Sequence, residues 1–211
     1  PPACRPVHIA ICYLPPGGSA VLGGDTASRT ESLRGCLDSL TDLRSAASRA
    51  GADFVLTGDL NSRTGQLTEI DRPSQGWEGD LPDELLTYTN TMQLIPPRAN
   101  TDTFTDPRRG PALTDFCGSN GLAIMNGRLP GDEDGMLTFH SQTGCSAVDY
   151  FIANVDLCYT PLGRVRFGST LTVLTDAFNE KATARSCFDH APLLFSFAAR
   201  ETDRVQVAPP S

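Results

Sequence analysis

The chain has no long apolar run, no excess of positive charge and no closely paired cysteines. None of its hydrophobic stretches approaches the roughly 18 residues of a membrane span, so no membrane partner is expected. The opening residues Pro1 to Pro6 lack the apolar core of a signal peptide, and they lack an initiator Met. That start predicts a processed chain or a fragment. Net charge is −8, which argues against a protein that holds nucleic acid by charge alone. It leaves open an acidic site that recruits a divalent cation. Cys4, Cys12, Cys36, Cys117, Cys145, Cys158 and Cys187 are odd in number, with no C-x-x-C pair. They read as small buried hydrophobes in a reducing, intracellular compartment, neither a disulfide framework nor a zinc site. No internal repeat is present, and no break in composition marks a second domain.

What is present suits one folded domain. The chain has 211 residues, 39% of them hydrophobic and 20% charged, enough for a sizeable core. We expect a single domain over residues 1–199 and a polar tail over 200–211. Val7 to Tyr13 reads as a buried strand. Glu31 to Ala50 reads as a helix, because Leu33, Leu37, Leu40, Leu43 and Ala47 recur at three- and four-residue intervals. Thr30 or Ser28 is its expected cap, and Gly51 its expected stop. Phe54-Val55-Leu56-Thr57 then reads as a second buried strand, giving a strand–helix–strand unit and an α/β (α+β) class.

Thr64 to Thr114 has no clear periodicity and is rich in Pro, Asp, Thr and Gly, as functional or mobile surface often is. It holds the only Trp, Trp77, and one short helical turn is expected at Leu81 to Tyr88. Pro111 to Gly121 fits a helix with Leu113, Phe116 and Cys117 on one face. Leu122 to Met125 fits a strand. Met136 to His140 and Ala147 to Ala153 read as two strands of one hairpin across Ser141-Gln142-Thr143-Gly144. Arg164 to Leu174 and Ala191 to Phe197 read as further strands.

Polar residues interrupt these apolar runs at telling places. Gly58-Asp59-Leu60-Asn61 ends the second strand. If the backbone stays extended there, Asp59 and Asn61 leave the same face; an ordinary Asx turn is the plainer alternative. Asp149, Asp189-His190 and Tyr13 likewise lie in or at the ends of expected strands. An unpaired buried carboxylate is costly, so three Asp in apolar settings suggest a shared partner, a cation or His190. Oxygen ligands favour Mg²⁺ or Mn²⁺ over zinc. A hard cation beside a His–Asp pair suits hydrolysis of a phosphate ester. Taken singly, each of these residues also fits a cap, a turn or an edge aromatic, and His8 and His140 read as ordinary strand residues.

The order of the motifs resembles the endonuclease/exonuclease/phosphatase superfamily, and above all the endonuclease domain of non-LTR retroelement reverse transcriptases. The matching pieces are Tyr13-Leu14-Pro15-Pro16, Gly58-Asp59-Leu60-Asn61-Ser62-Arg63-Thr64-Gly65, and Arg109-Gly110-Pro111-Ala112-Leu113 with Phe116-Cys117. Leu122 to Arg128, Leu137-Thr138-Phe139, Ser146-Ala147-Val148-Asp149-Tyr150 and Asp189-His190 follow in the family's order. The resemblance implies a four-layer α/β/β/α sandwich of the DNase-like type, truncated at its N-terminus. It implies metal-dependent, endonuclease-like cleavage of DNA, and the nucleus as the setting of a functional retroelement enzyme. Asp59 would activate or orient water, Asn61 and Tyr13 would contact the phosphate, and Asp149 would hold His190 at the phosphorus. Asp189 would lie by the metal, Thr138 and Ser146 would support the site, and Asn126-Gly127-Arg128 would be structural.

Two departures accompany the resemblance. The family's Ser before Asp-His is Phe188 here. Its early Asn and metal-binding Glu would precede Val7, and Glu31, Glu69, Glu78 and Glu84 lie in the wrong context to replace that Glu. A sandwich without its first strands is expected to expose sheet edge and apolar surface. A superfamily phosphatase acting on a small phosphoester and a non-catalytic truncated remnant are the alternatives.

Overall fold

The structure, a computed structural model, describes residues 5–19, 25–69, 94–142, 144–160, 162–175 and 189–197. It is a mixed α/β arrangement. Strand β1 (Val7–Ile11) leads to helix α1 (Thr26–Arg49) and strand β2 (Asp53–Asp59). Helix α2 (Arg109–Ser119) and strand β3 (Leu122–Ile124) follow, then the short strands β4 (Phe139–Ser141) and β5 (Gly144–Ser146). Strand β6 (Asp149–Asn154), the single-turn helix α3 (Val155–Cys158), β7 (Thr170–Val173) and β8 (Leu193–Ser196) complete the described elements. The expected turn at Leu81 to Tyr88, Trp77 and the tail 200–211 lie outside the described residues.

The main sheet has the order β1-β2-β6-β3. β1 runs parallel to β2, while β6 runs antiparallel to both β2 and β3. Side chains alternate across this sheet, as a strand's two-residue period requires. Phe54, Leu56, Leu122, Ile124, Tyr150 and Ile152 join Leu40, Ala47, Leu113 and Phe116 in one core beneath α1 and α2. Val55, Ala123, Phe151 and Ala153 point the other way, into a second core with Leu171 and Tyr159. There the Phe151 ring stacks on Phe195 of β8, with centroids 4.3 Å apart. β7 and β8 pair with each other and form a third layer on that face. Each large side chain buried this way contributes roughly 1.5–3 kcal/mol.

Several sequence expectations need correction. Helix α1 begins at Thr26, five residues before the expected start, and its cap is Asp25, whose Oδ1 accepts the Ser28 N–H at 2.7 Å. The apolar stripe begins at Leu33, so it could not mark this polar first turn. The hairpin across Gly144 joins β4 to β5, not to the strand holding Asp149. β6 instead lies between β2 and β3 in the main sheet, because its alternate residues feed both cores. The strand expected over Arg164 to Leu174 is confined to β7. Of the cysteines described, Cys117 and Cys158 are buried, Cys12 and Cys36 are half-buried and Cys145 is exposed.

β1 was expected to be buried and is not. Ile9 is 52% and Ile11 83% exposed, both on the face opposite the helices, and β1 pairs only with β2 among the described residues. Apolar surface is therefore exposed at this edge among the described residues.

Candidate active site

The same alternation that builds the two cores sets the chemistry. Along β2, Phe54 and Leu56 face the helices, so Val55, Thr57 and Asp59 face away. Along β6, Asp149 shares the outward parity of Phe151. Asp59 and Asp149 are direct partners in the antiparallel ladder, so two carboxylates stand side by side at one end of the sheet. The chain after β1 continues alongside β2, with the Cys12 N–H donating to Thr57 O and the Leu14 N–H to Asp59 O. Leu14 and Cys12 turn to the helix-side core. Tyr13 is left on the face that carries Asp59, 64% exposed.

His190 reaches these carboxylates from a third segment of the chain. Its segment is tied to β4: the His140 N–H donates to Asp189 O at 2.7 Å, and the Ala191 N–H to Thr138 O at 2.6 Å. The Phe139 ring packs on the imidazole with centroids 4.9 Å apart. His190 Nδ1 lies 2.9 Å from Asp149 Oδ2, and Nε2 lies 3.8 Å from Asp59 Oδ2. Burial works against a charged imidazole here. The hydrogen bond and charge of Asp149, with the charges of Asp59 and Asp189, outweigh it and raise the His190 pKa above its ordinary value. Asp59 is also raised, first by burial and then by the Asp149 carboxylate, against the opposing bonds from Asn61 and the charge of His190.

Asn61 joins the group through a turn rather than an extended strand. Its φ is +44°, the left-handed region, and its backbone N–H donates to Asp59 Oδ1 at 2.9 Å. Its side-chain Nδ2 donates to Asp59 Oδ2 at 2.7 Å and to Leu14 O at 2.8 Å. The plain Asx turn and the functional pairing are thus one structure. Both amide hydrogens are engaged within the protein, so Asn61 orients Asp59. Arg109 of α2 secures this turn from behind, donating to Asn61 O at 2.9 Å and to Pro15 O at 2.7 Å. Gly58 allows the close approach of β1 and β2. Its φ is +126°, and a Cβ there would collide with the Cys12 carbonyl.

Asp149 is held just as firmly. Buried Thr138 accepts the N–H of Val148 at 3.1 Å and of Asp149 at 3.0 Å on its hydroxyl oxygen. Because the Thr138 carbonyl also takes the Ala191 N–H, one residue links the strand of Asp149 to the segment of His190. The Asn126 side chain accepts from Phe151 N–H and donates to Asp149 O, extending the ladder beyond β3. Ser146 is buried one position before Ala147, and its carbonyl accepts the Thr138 N–H. Arg128 is structural: its guanidinium pairs with buried Glu69 at 2.8 Å, so Glu69 is committed away from the cleft.

Asp59, Asp149 and His190 each bring a ligand atom within 4.8 Å of the others. Each carboxylate oxygen keeps lone-pair capacity beyond the bonds described. Two crowded carboxylates, one with a raised pKa, are what a nearby cation would relieve, and an oxygen-rich donor set fits Mg²⁺ or Mn²⁺. Asp189, expected beside the metal, has an exposed side chain and stands outside this cluster.

Two supporting residues were not singled out from the sequence. Asp102 is 4% exposed, in the stretch read as surface. It accepts from Arg63, from the Phe104 N–H and from the Ala147 N–H, fastening residues 94–108 to both site strands. Its short-range sequence context resembles any polar loop, so no local signal marked it. Arg109 stood within a quoted motif, and its burial at a helix start gives it the supporting role. The chain matches no protein-family model and no curated protein.

Proposed function

We propose that the chain is a divalent-cation-dependent phosphodiesterase of the endonuclease type, acting on DNA. The observation that supports this most is the meeting of Asp59, Asp149 and His190 within 4.8 Å, from three separate segments. The larger architecture we propose is the four-layer DNase-like sandwich, with β7 and β8 belonging to its second sheet. Asp59 and Asp149 would hold Mg²⁺ or Mn²⁺, which supplies charge neutralisation at the phosphoryl oxygens.

The chain's own groups have distinct tasks in this reading. Asp59, aimed by Asn61, would orient the attacking water and take its proton. Asp149 accepts from His190 Nδ1 and fixes the ring so that Nε2 faces the phosphate. The imidazolium stabilises the charge that develops as water bonds to phosphorus and the ester P–O bond breaks. Tyr13, exposed on the face that carries Asp59, would donate its hydroxyl to a phosphate oxygen.

Nicking of supercoiled plasmid tests the reading. Cleavage should require Mg²⁺ or Mn²⁺, stop with chelator, and fall about a hundredfold or more in His190→Ala. The net charge of −8 favours a second reading, hydrolysis of a small phosphoester. Turnover of a soluble phosphoester without nicking would support it. Inactivity on both would leave a non-catalytic fold.

A further inference from the structure

The loop beside the cleft presents an aromatic ring in a built mount. Phe104 is 53% exposed. The Arg63 guanidinium carbon lies 4.4 Å from the centre of its ring, covering one face. Both partners are fixed by the same carboxylate. Asp102 takes Arg63 Nε on Oδ2 at 2.8 Å and the Phe104 N–H on Oδ1 at 3.1 Å. The strong hydrogen bonds and ion pair hold Arg63 above its ordinary pKa despite partial burial. The ring is therefore positioned, not left to swing in solvent.

The mount is bonded to segments next to both Asn61 and Asp149. Arg63 is two residues beyond Asn61, which puts their Cα atoms at most about 7 Å apart. Asp102 Oδ2 also accepts the Ala147 N–H at 3.0 Å, two residues before Asp149. Asp102 thus ties the ring's mount to the two segments that carry Asn61 and Asp149. An exposed aromatic face in such a place suits a base, because every base has a π-face.

We infer that Phe104, backed by Arg63, is a stacking platform for an unpaired nucleobase flanking the cleaved phosphate. This rests on the phosphodiesterase reading for its location but not for its measurement. It names the substrate class as base-bearing nucleic acid rather than a small phosphoester.

Fluorescence anisotropy with chelator present tests it without any hydrolysis. The probes are a labelled single-stranded 12-nucleotide DNA and the same length of abasic tetrahydrofuran residues. The protein should bind the base-bearing strand about tenfold more tightly. Phe104→Ala should remove that preference, whereas Phe104→Trp should keep it, with Tm showing both folded. Equal binding of the two strands by the parent protein, or an undiminished preference in Phe104→Ala, would overturn the platform. Base preference without plasmid nicking would instead count against hydrolysis while leaving the platform standing.

Discussion

Asp59 and Asp149 face each other directly across the β2–β6 ladder, at the last pair before β2 ends. Like charges at opposed positions of a sheet are destabilising. The arrangement persists because each carboxylate is held by others: Asp59 by the Asn61 turn, Asp149 by His190 and Thr138. A site assembled against the preference of its own sheet is the pattern expected where function, not stability, sets the residues.

The first prediction concerns the His190 proton. The chain has three histidines, so their ring resonances are readily separated by NMR. His190 should titrate above the ordinary value, and Asp149→Asn should bring its pKa down, since the largest raising influence is then gone while burial remains. A folded pKa above the unfolded one means that folding tightens the proton. The associated stability is fully present below about pH 6.5 and is lost as pH rises through the folded pKa. Unfolding curves of Asp149→Asn should show less of this loss. A His190 that titrates below its ordinary value in the parent protein would contradict the geometry.

The second prediction separates the clustered acids from Asp189. Mg²⁺ should raise the thermal midpoint, by a stabilisation of about 1.4 kcal/mol when its concentration is tenfold above Kd. Asp59→Asn should abolish the shift and Asp189→Ala should largely retain it. The reverse pattern would return the cation to Asp189, where the sequence resemblance put it.

Much of this was legible in the sequence, for particular reasons. Phe54 to Asp59 announced a buried strand with a polar end, and Asp149 stood out as a polar interruption in the apolar run that became β6. Helix α2 was legible because Leu113, Phe116 and Cys117 share a face. What stayed hidden depends on contacts between distant segments. The burial of Asp102 follows from Arg63 and Ala147, which no local pattern connects to it. The partner of β4 was misassigned because the polar linker Ser141 to Gly144 signals a hairpin but not where its second strand ends. Ile9 and Ile11 read as core because their hydrophobicity is the same whether or not a layer covers them.

Thr138 supplies the third prediction. Its hydroxyl oxygen is the acceptor for two buried N–H groups, and Thr138→Val removes it without changing shape. Each orphaned donor costs about 1–3 kcal/mol. Chemical denaturation should show a loss of that order, with Thr138→Ser retaining most of the stability. Activity of Thr138→Val should fall further than Tm alone explains, because Asp149 loses its backbone anchor. A variant as stable and as active as the parent would show that the hydroxyl holds nothing.

The last prediction concerns the buried pair behind the sheet. Arg128 Nη1 and Nη2 both donate to Glu69, and Glu69 Oε1 also accepts the Ile124 N–H at 2.6 Å. Burial pushes the Glu69 carboxyl up, but the Arg128 charge and hydrogen bonds overcome it and hold the pKa below the ordinary value. Arg128→Met strands a carboxylate at a position with no exposed side-chain surface. The expected loss is about 3–5 kcal/mol, since an unpaired buried charge is costlier than the pair is valuable. Adding Glu69→Gln should recover part of it, because the amide oxygen can still accept from Ile124 without carrying charge. Guanidinium unfolding of the parent, the single variant and the double variant measures this directly. A double variant less stable than Arg128→Met would mean that the carboxylate finds another cation, with Arg98 the nearby group already sensing its charge.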